Sequence, residues 1–139
     1  MPRRVPASRL VVAVAAGGAV GASLRYAAGV LVPDGDGFPW TTFAVNVVGA
    51  FLLAALPALD AVRRSQTWAV GLGPGLLGGF TTLSATSEQG RAMLDAGHVR
   101  LAALYLLGTL GAALLAVLLA DRLTPRRVQD RVAAEGGDE

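Results

Sequence analysis

The chain has 139 residues, 53% of them hydrophobic and only 16% charged, with twelve arginines, no lysine, no cysteine and one histidine. A soluble domain carries about 25% charged residues, and a mean hydropathy of +0.53 points away from one. Without cysteine there is no disulfide scaffold, thiol enzyme or zinc–cysteine site, and His98 alone supports neither a histidine metal cluster nor a Ser-His-Asp triad.

The charges avoid four stretches. Leu10–Val32, Phe38–Leu59, Ser65–Ser87 and Leu101–Ala120 run 23, 22, 23 and 20 residues and hold a single charge, Arg25. Each is near the ~20 residues that cross a ~30 Å hydrocarbon core. Together they take 88 residues and leave 51 for ends and connections, too few for a second, soluble domain. The sequence therefore predicts a single-domain, all-α membrane protein with four transmembrane helices near 10–32, 42–60, 66–87 and 100–121, and a polar tail over 123–139. Arg3-Arg4 ahead of an apolar run is similar to a secretory or twin-arginine signal, but such a signal has an apolar core of about 7–15 residues. Leu10–Val32 is longer, and a retained first span is expected.

A pI of 9.9 does not point to nucleic acid, because eleven arginines flank the apolar runs and none forms a stripe beside aromatic platforms. Anionic headgroups account for them. Four spans place both termini and the second loop on one side, with Arg3, Arg4, Arg9, Arg63, Arg64, Arg122, Arg126, Arg127 and Arg131. The other side has Arg91 and Arg100. Nine against two predicts a cell (inner) membrane protein with both termini in the cytoplasm.

In the first span Gly17, Gly21, Arg25 and Gly29 recur every four residues and share a helical face. Small residues at this spacing let another helix approach closely. Arg25, toward the far end, either snorkels to the interface or anchors beside a polar vestibule. The second span follows Pro39-Trp40, whose indole suits the interface, and sets Thr42, Asn46 and Gly49 or Ala50 on one face. Asn46 is the only amide in the interior of a span. Its two donors and one acceptor serve either an interhelical bond or an anion in a pore.

The third stretch is glycine-rich through Gly71–Gly79, contains Pro74, and continues into Thr81, Thr82, Ser84, Thr86 and Ser87. A continuous helix through Gly78-Gly79 and Thr81-Thr82 is not expected. Lipid cannot satisfy the freed backbone groups of a mid-membrane break, so such breaks bind an ion or line a wet path. Carbonyls suit a hard cation such as Na+, hydroxyls and amides an anion. No GxxxxGK[ST] phosphate loop is present. The fourth span puts Tyr105 and Thr109 one turn apart, where threonine also back-bonds within its own helix.

These stretches resemble the Fluc/CrcB fluoride channels. GGAVGASLRY at 17–26 resembles that family's first-helix GGxxGAxxRY, TTFAVNVVGAF at 41–51 its GTLxVNxxGxF, and GLLGGFTTLS at 75–84 its GFxGGxTTFS break. The three lie in order, and the resemblance runs from about Leu10 to Arg122. It implies a dimer of antiparallel four-helix subunits, with two narrow fluoride pores and one structural Na+ at the dimer centre. The Na+ would sit on backbone carbonyls of Gly78 and Thr81. Asn46, Thr82, Ser84, Tyr105 and Thr109 would line the fluoride pathway, with Ala113 at the next position of the fourth-helix track, and Arg25 would stand near the vestibule.

The chain departs from the family where TTFSTF places two phenylalanine rings: here those positions are Leu83 and Thr86, and Phe80 lies three residues too early. With the arginine bias, this points to an antiparallel dimer with a homologous second subunit of opposite bias, a homodimer being the alternative. The implied function is passive efflux of cytoplasmic fluoride, which reduces its toxicity. A non-conducting structural subunit is the alternative within the family. A small multidrug-type proton-coupled exporter needs a glutamate in the first span, which is absent. No enzyme is expected, because the clustered polar groups are hydroxyls with no base beside them.

Overall fold

The computed structural model describes residues 5–124; Arg3, Arg4 and the polar tail from 125 onward lie outside the described residues. Every regular element among the described residues is helical. Helix α1 (Ala7–Leu31) begins behind Pro6 and ends at Val32, φ −133° and ψ 80°, because Pro33 excludes the α conformation from the residue before it. Helix α2 (Trp40–Ala55) starts directly after Pro39 and closes in a 3₁₀ turn, Leu56–Ala58, that contains Pro57. Helix α3 (Asp60–Arg64) is short. Its Arg63 donates to the Pro57 and Ala58 carbonyls at 2.8 and 3.0 Å and pairs with Asp60, so the guanidinium gathers the loose carbonyls of the preceding turn.

The third stretch is a composite. Helix α4 (Gln66–Val70) passes into a π-helical segment, Gly71–Leu77, and then α5 (Gly78–Phe80), with right-handed helical backbone at each junction. The wide turn surrounds Pro74. Proline has no N–H, and its ring crowds the carbonyl four residues back; the i→i+5 spacing relieves that crowding. Gly78-Gly79 remain helical. The interruption falls one step later, at Thr81 (ψ 158°) and Thr82 (φ −150°, ψ 112°), both extended. Helix α6 (Leu83–Asp95) restarts with the Thr82 hydroxyl accepting the Ala85 N–H at 3.1 Å, a side-chain N-cap. A turn at Gly97, φ +77°, leads into α7 (Val99–Leu123).

Among the described residues, three helical segments are long and apolar enough to cross a membrane: Ala7–Leu31, Trp40–Ala58 and Val99–Leu123. Their surfaces expose Leu24, Val30, Leu52, Leu107, Leu115 and Leu118, a burden that water does not favour and lipid does. The interior is small and centred on Met93, Ala102 and Tyr105, with Phe38, Phe43, Leu101 and Leu106 against it. Helix α1 packs on the π segment and α5, while α2 and α6 both pack on α7. Of the glycine stripe on α1, Gly17 and Gly21 meet backbone: a β-carbon there would overlap the Gly71 or Leu76 carbonyl oxygen. Gly29 has open space.

Candidate functional site

The interruption at Thr81-Thr82 leaves backbone groups that a continuous helix would have paired, and one side chain repairs most of the damage. Asn46 Oδ1 accepts the Thr82 N–H at 2.7 Å, while its Nδ2 donates to the Thr82 carbonyl at 3.1 Å and to Thr86 Oγ1 at 2.8 Å. The carboxamide thus acts as a neighbouring strand would, meeting both polar groups of one residue. Asn46 makes the interhelical bond that is one of the roles open to it in the sequence. Thr86 Oγ1 also donates to the Thr82 carbonyl at 2.9 Å, and the Thr82 hydroxyl lies 3.2 Å from that of Ser84. Thr82 and Thr86 are buried and Ser84 is exposed.

A second polar cluster sits at the start of α2. Asp34, in the first loop, accepts the Thr41 and Thr42 N–H groups at 2.7 and 3.1 Å and the Thr42 hydroxyl at 2.6 Å. A carboxylate here satisfies otherwise orphaned N–H groups and faces the positive end of the helix dipole. Partial burial alone would raise its pKa, but the hydrogen bonds from the Thr42 side chain, the Thr41 and Thr42 amides and Gln89 outweigh burial and hold the carboxyl below its ordinary range. Gln89 on α6 donates from Nε2 to Asp34 at 3.2 Å and to Thr42 Oγ1 at 3.1 Å, and its Oε1 accepts the Tyr105 hydroxyl at 2.6 Å. Tyr105 is fully buried. Phe38 packs edge-on against its ring, centroids 5.4 Å apart at 88°, the geometry aromatic quadrupoles favour. A cleft of about 420 Å³, bordered by Asp34, Asp36, Gln89, Met93 and His98, opens beside this cluster.

The residues marked in the sequence divide between these clusters. Asn46, Thr82 and Ser84 gather at the interruption, and Tyr105 joins Asp34 through Gln89. Buried Thr109 spends its hydroxyl on the Tyr105 carbonyl at 2.6 Å, within its own helix. Arg25 Nε donates to the Gly79 carbonyl at 3.2 Å, so the guanidinium anchors on α5, just ahead of the interruption. Leu83 is 81% exposed and Thr86 is 5% exposed, so the two positions that diverge from the fluoride-channel pattern face opposite ways.

The carbonyls of Gly78 and Thr81 suit a hard monovalent cation. The Thr82 N–H that would close an α-turn on Gly78 is turned to Asn46, and ψ 158° at Thr81 takes that carbonyl out of the helical ladder. Gly78 is exposed on the surface of the single chain. Neutral carbonyl oxygens from unwound backbone are the donor set such ions take in membranes.

Asp34 and Gln89 escaped the sequence reading. Asp34 lies seven and eight residues before the amides it caps, beyond any local capping pattern. Gln89 had a usable signal: positions 82, 86 and 89 recur at i, i+4 and i+7, which extends the polar face of α6 past the end of the uncharged stretch.

A bundle of apolar helices around an interrupted helix, repaired by a half-buried amide and buried hydroxyls, defines a multi-pass membrane protein with a polar interior seam. The chain belongs to the CrcB family: the description CrcB-like protein, Camphor Resistance (CrcB), matches residues 12–120. It is 45% identical over 132 residues to Fluoride-specific ion channel FluC 1 of Mycobacterium bovis, covering 88% of this chain and 95% of that one. It is 42% identical over 113 residues to Fluoride-specific ion channel FluC of Thermus thermophilus, covering 79% and 90%. With FluC 2 of Streptomyces avermitilis it shares 45% identity over 107 residues, 73% of this chain and 66% of that one.

Proposed function

We propose that the chain is a subunit of a fluoride-specific channel through which cytoplasmic fluoride leaves down its electrochemical gradient. The observation that carries this reading is the seam of Asn46, Thr82 and Thr86 at the helix interruption, in a chain whose relatives are named fluoride channels. Fluoride is small and tightly hydrated, so a pathway for it must offer dense donors in place of water; amides and hydroxyls do this without a fixed charge that would trap the ion. Acidified surroundings deliver neutral HF, which dissociates inside, and an inside-negative potential drives the anion out.

In this reading the chain spans the membrane four times, with α4 to α6 forming a third span broken at Thr81-Thr82 and both termini in the cytoplasm. Asn46, Thr82, Ser84, Tyr105 and Thr109 belong to the fluoride pathway, and Arg25 braces the vestibule end. Two subunits lie antiparallel, and a structural Na+ rests on the Gly78 and Thr81 carbonyls at their centre. The arginine asymmetry favours a homologous second subunit of opposite bias, because one strongly biased sequence does not insert equally both ways. Leu83 and Thr86 favour it too, since that partner supplies the missing rings. A homodimer, and a chain that stabilises a conducting partner without conducting, are the competing outcomes.

The test is reconstitution in liposomes, with this chain alone and with its homologous partner, followed by a fluoride electrode and the sidedness of a C-terminal tag. Fluoride efflux without chloride efflux is expected, strongest for the pair, with the tag on one side only. Equal chloride and fluoride flux refutes the channel reading; full efflux from this chain alone, with tags on both sides, refutes the heterodimer. Replacing Na+ by a bulky organic cation during purification lowers dimer stability, and indifference to that exchange refutes the cation site.

A further inference from the structure

Gln89 holds the hydroxyl proton of Tyr105, and the reason lies in what surrounds its other end. Asp34 is acceptor-only: it already takes two amides and the Thr42 hydroxyl. The Thr42 hydroxyl, having given its proton to Asp34, turns a lone pair to Gln89. Both partners of the Gln89 amide nitrogen are therefore acceptors, which fixes the direction of the carboxamide. Its carbonyl oxygen must face Tyr105, and the phenol must donate to it, at 2.6 Å. Tyr105 is fully buried, and Gln89, not Tyr105, borders the 420 Å³ cleft. An anion coming from the cleft meets the Gln89 side chain first, and the Tyr105 proton is already committed.

We infer that Gln89 is a positioning residue for anion selectivity: its carbonyl competes with the permeant ion for the Tyr105 proton. The inference rests on the fluoride-channel reading and concerns the same pathway. An amide oxygen is a good hydrogen-bond acceptor. Fluoride, with the highest charge density of the halides, is better, and chloride is worse. The phenol turns from Gln89 to fluoride and stays on Gln89 when chloride arrives. No charge is involved and no covalent bond is exchanged; the discrimination is a contest between two acceptors for one donor.

The experiment has two arms, both on the complete channel in lipid. Tyr26, 74% exposed, is this chain's only other tyrosine, so Tyr26→Phe combined with isotope-labelled tyrosine in this chain alone leaves Tyr105 as the sole source of the isotope-shifted phenol C–O stretching band. That infrared band separates a phenol by its hydrogen-bond partner. Fluoride is expected to shift it and chloride to leave it in place. In the second arm Gln89→Met keeps the side-chain length and removes the competing acceptor. Chloride flux relative to fluoride should then rise about five- to tenfold, the equivalent of one hydrogen bond. A Tyr105 band that fluoride does not move, or that chloride moves equally, overturns the inference even where selective fluoride flux is intact. So does an unchanged selectivity ratio in Gln89→Met. The infrared arm needs no substitution at 89 and stands where that variant does not fold. Absence of fluoride flux in the parent channel overturns the channel reading and the inference with it.

Discussion

Replacing Asn46 by leucine tests how much of the fold depends on repairing the interruption. Leucine fills nearly the same space and removes three hydrogen bonds at once. The losses are unequal. The Thr82 carbonyl keeps its bond from Thr86 Oγ1 at 2.9 Å, and Thr86 keeps the same bond, so each loses one of two partners. The Thr82 N–H loses its acceptor outright. An orphaned buried N–H costs about 1–3 kcal/mol, and the two donor bonds contribute about 0.5–1.5 kcal/mol each. Burying leucine is easier than burying an amide and returns part of this. The net expectation is about 2–4 kcal/mol of lost stability. Reversible unfolding in mixed micelles, followed through Trp40 and Trp68, measures it, with Asn46→Asp as the companion. Aspartate keeps an acceptor for the Thr82 N–H but sets a second carboxylate oxygen against the Thr82 carbonyl. Its penalty should therefore grow as pH rises and the carboxyl ionises, and its added negative charge should sharply reduce fluoride flux. A leucine variant within about 0.5 kcal/mol of the parent, the range of ordinary surface substitutions, would refute the staple role.

Gly21→Ala drives a β-carbon onto the Leu76 carbonyl oxygen, so α1 must separate from the π segment. A loss of about 1–3 kcal/mol is expected from overpacking, against a change within about 0.5 kcal/mol for Gly29→Ala, where space is open; equal effects at the two sites would refute the close approach. The Asp34 carboxyl titrates below its ordinary value of 3.8 when folded. Its stabilisation is therefore complete above about pH 5 and is lost as pH falls through 3.8 toward the folded value. Thermal unfolding midpoints taken from about pH 6 down to about pH 3 should fall for the parent over that window more steeply than for Asp34→Asn; parallel profiles would refute the assignment.

The sequence made the helices legible wherever apolar length decides them. Pro39-Trp40 marks a start and the absence of charge marks the long apolar stretches, whereas Pro33 and Pro57 were missed as helix-ending residues, the second span being expected to run through Pro57 to residue 60. What it left open is which residues of the Gly78–Thr82 stretch make the interruption. Five glycines and Pro74 weaken the helix over Gly71–Gly79, yet that segment stays helical because α1 lies directly on it. The chain leaves the helix at the threonines because Asn46, far away in sequence, offers Thr82 a better pair of partners. Asn46 was visible as an unusual amide, but which of its two roles the fold employs depends on Thr82 and Thr86. Asp34 and Gln89 were hidden for the same reason, since loop–helix distances are not written in periodicity.

The contact between α1 and the third stretch carries a mechanical consequence. Where Gly17 and Gly21 meet carbonyl oxygens of the opposite chain segment, and Gly79 meets the Gly18 carbonyl, main chain rests on main chain with no layer of side chains between. Sliding surfaces in proteins depend on such a layer, whose rotamers absorb small displacements. Here a shift of an ångström along the helix axis would press an oxygen into an α-carbon. These two elements therefore travel as one body, with the interruption at Thr81-Thr82 rigidly referenced to α1, and the dimensions of the polar seam are set when the chain folds.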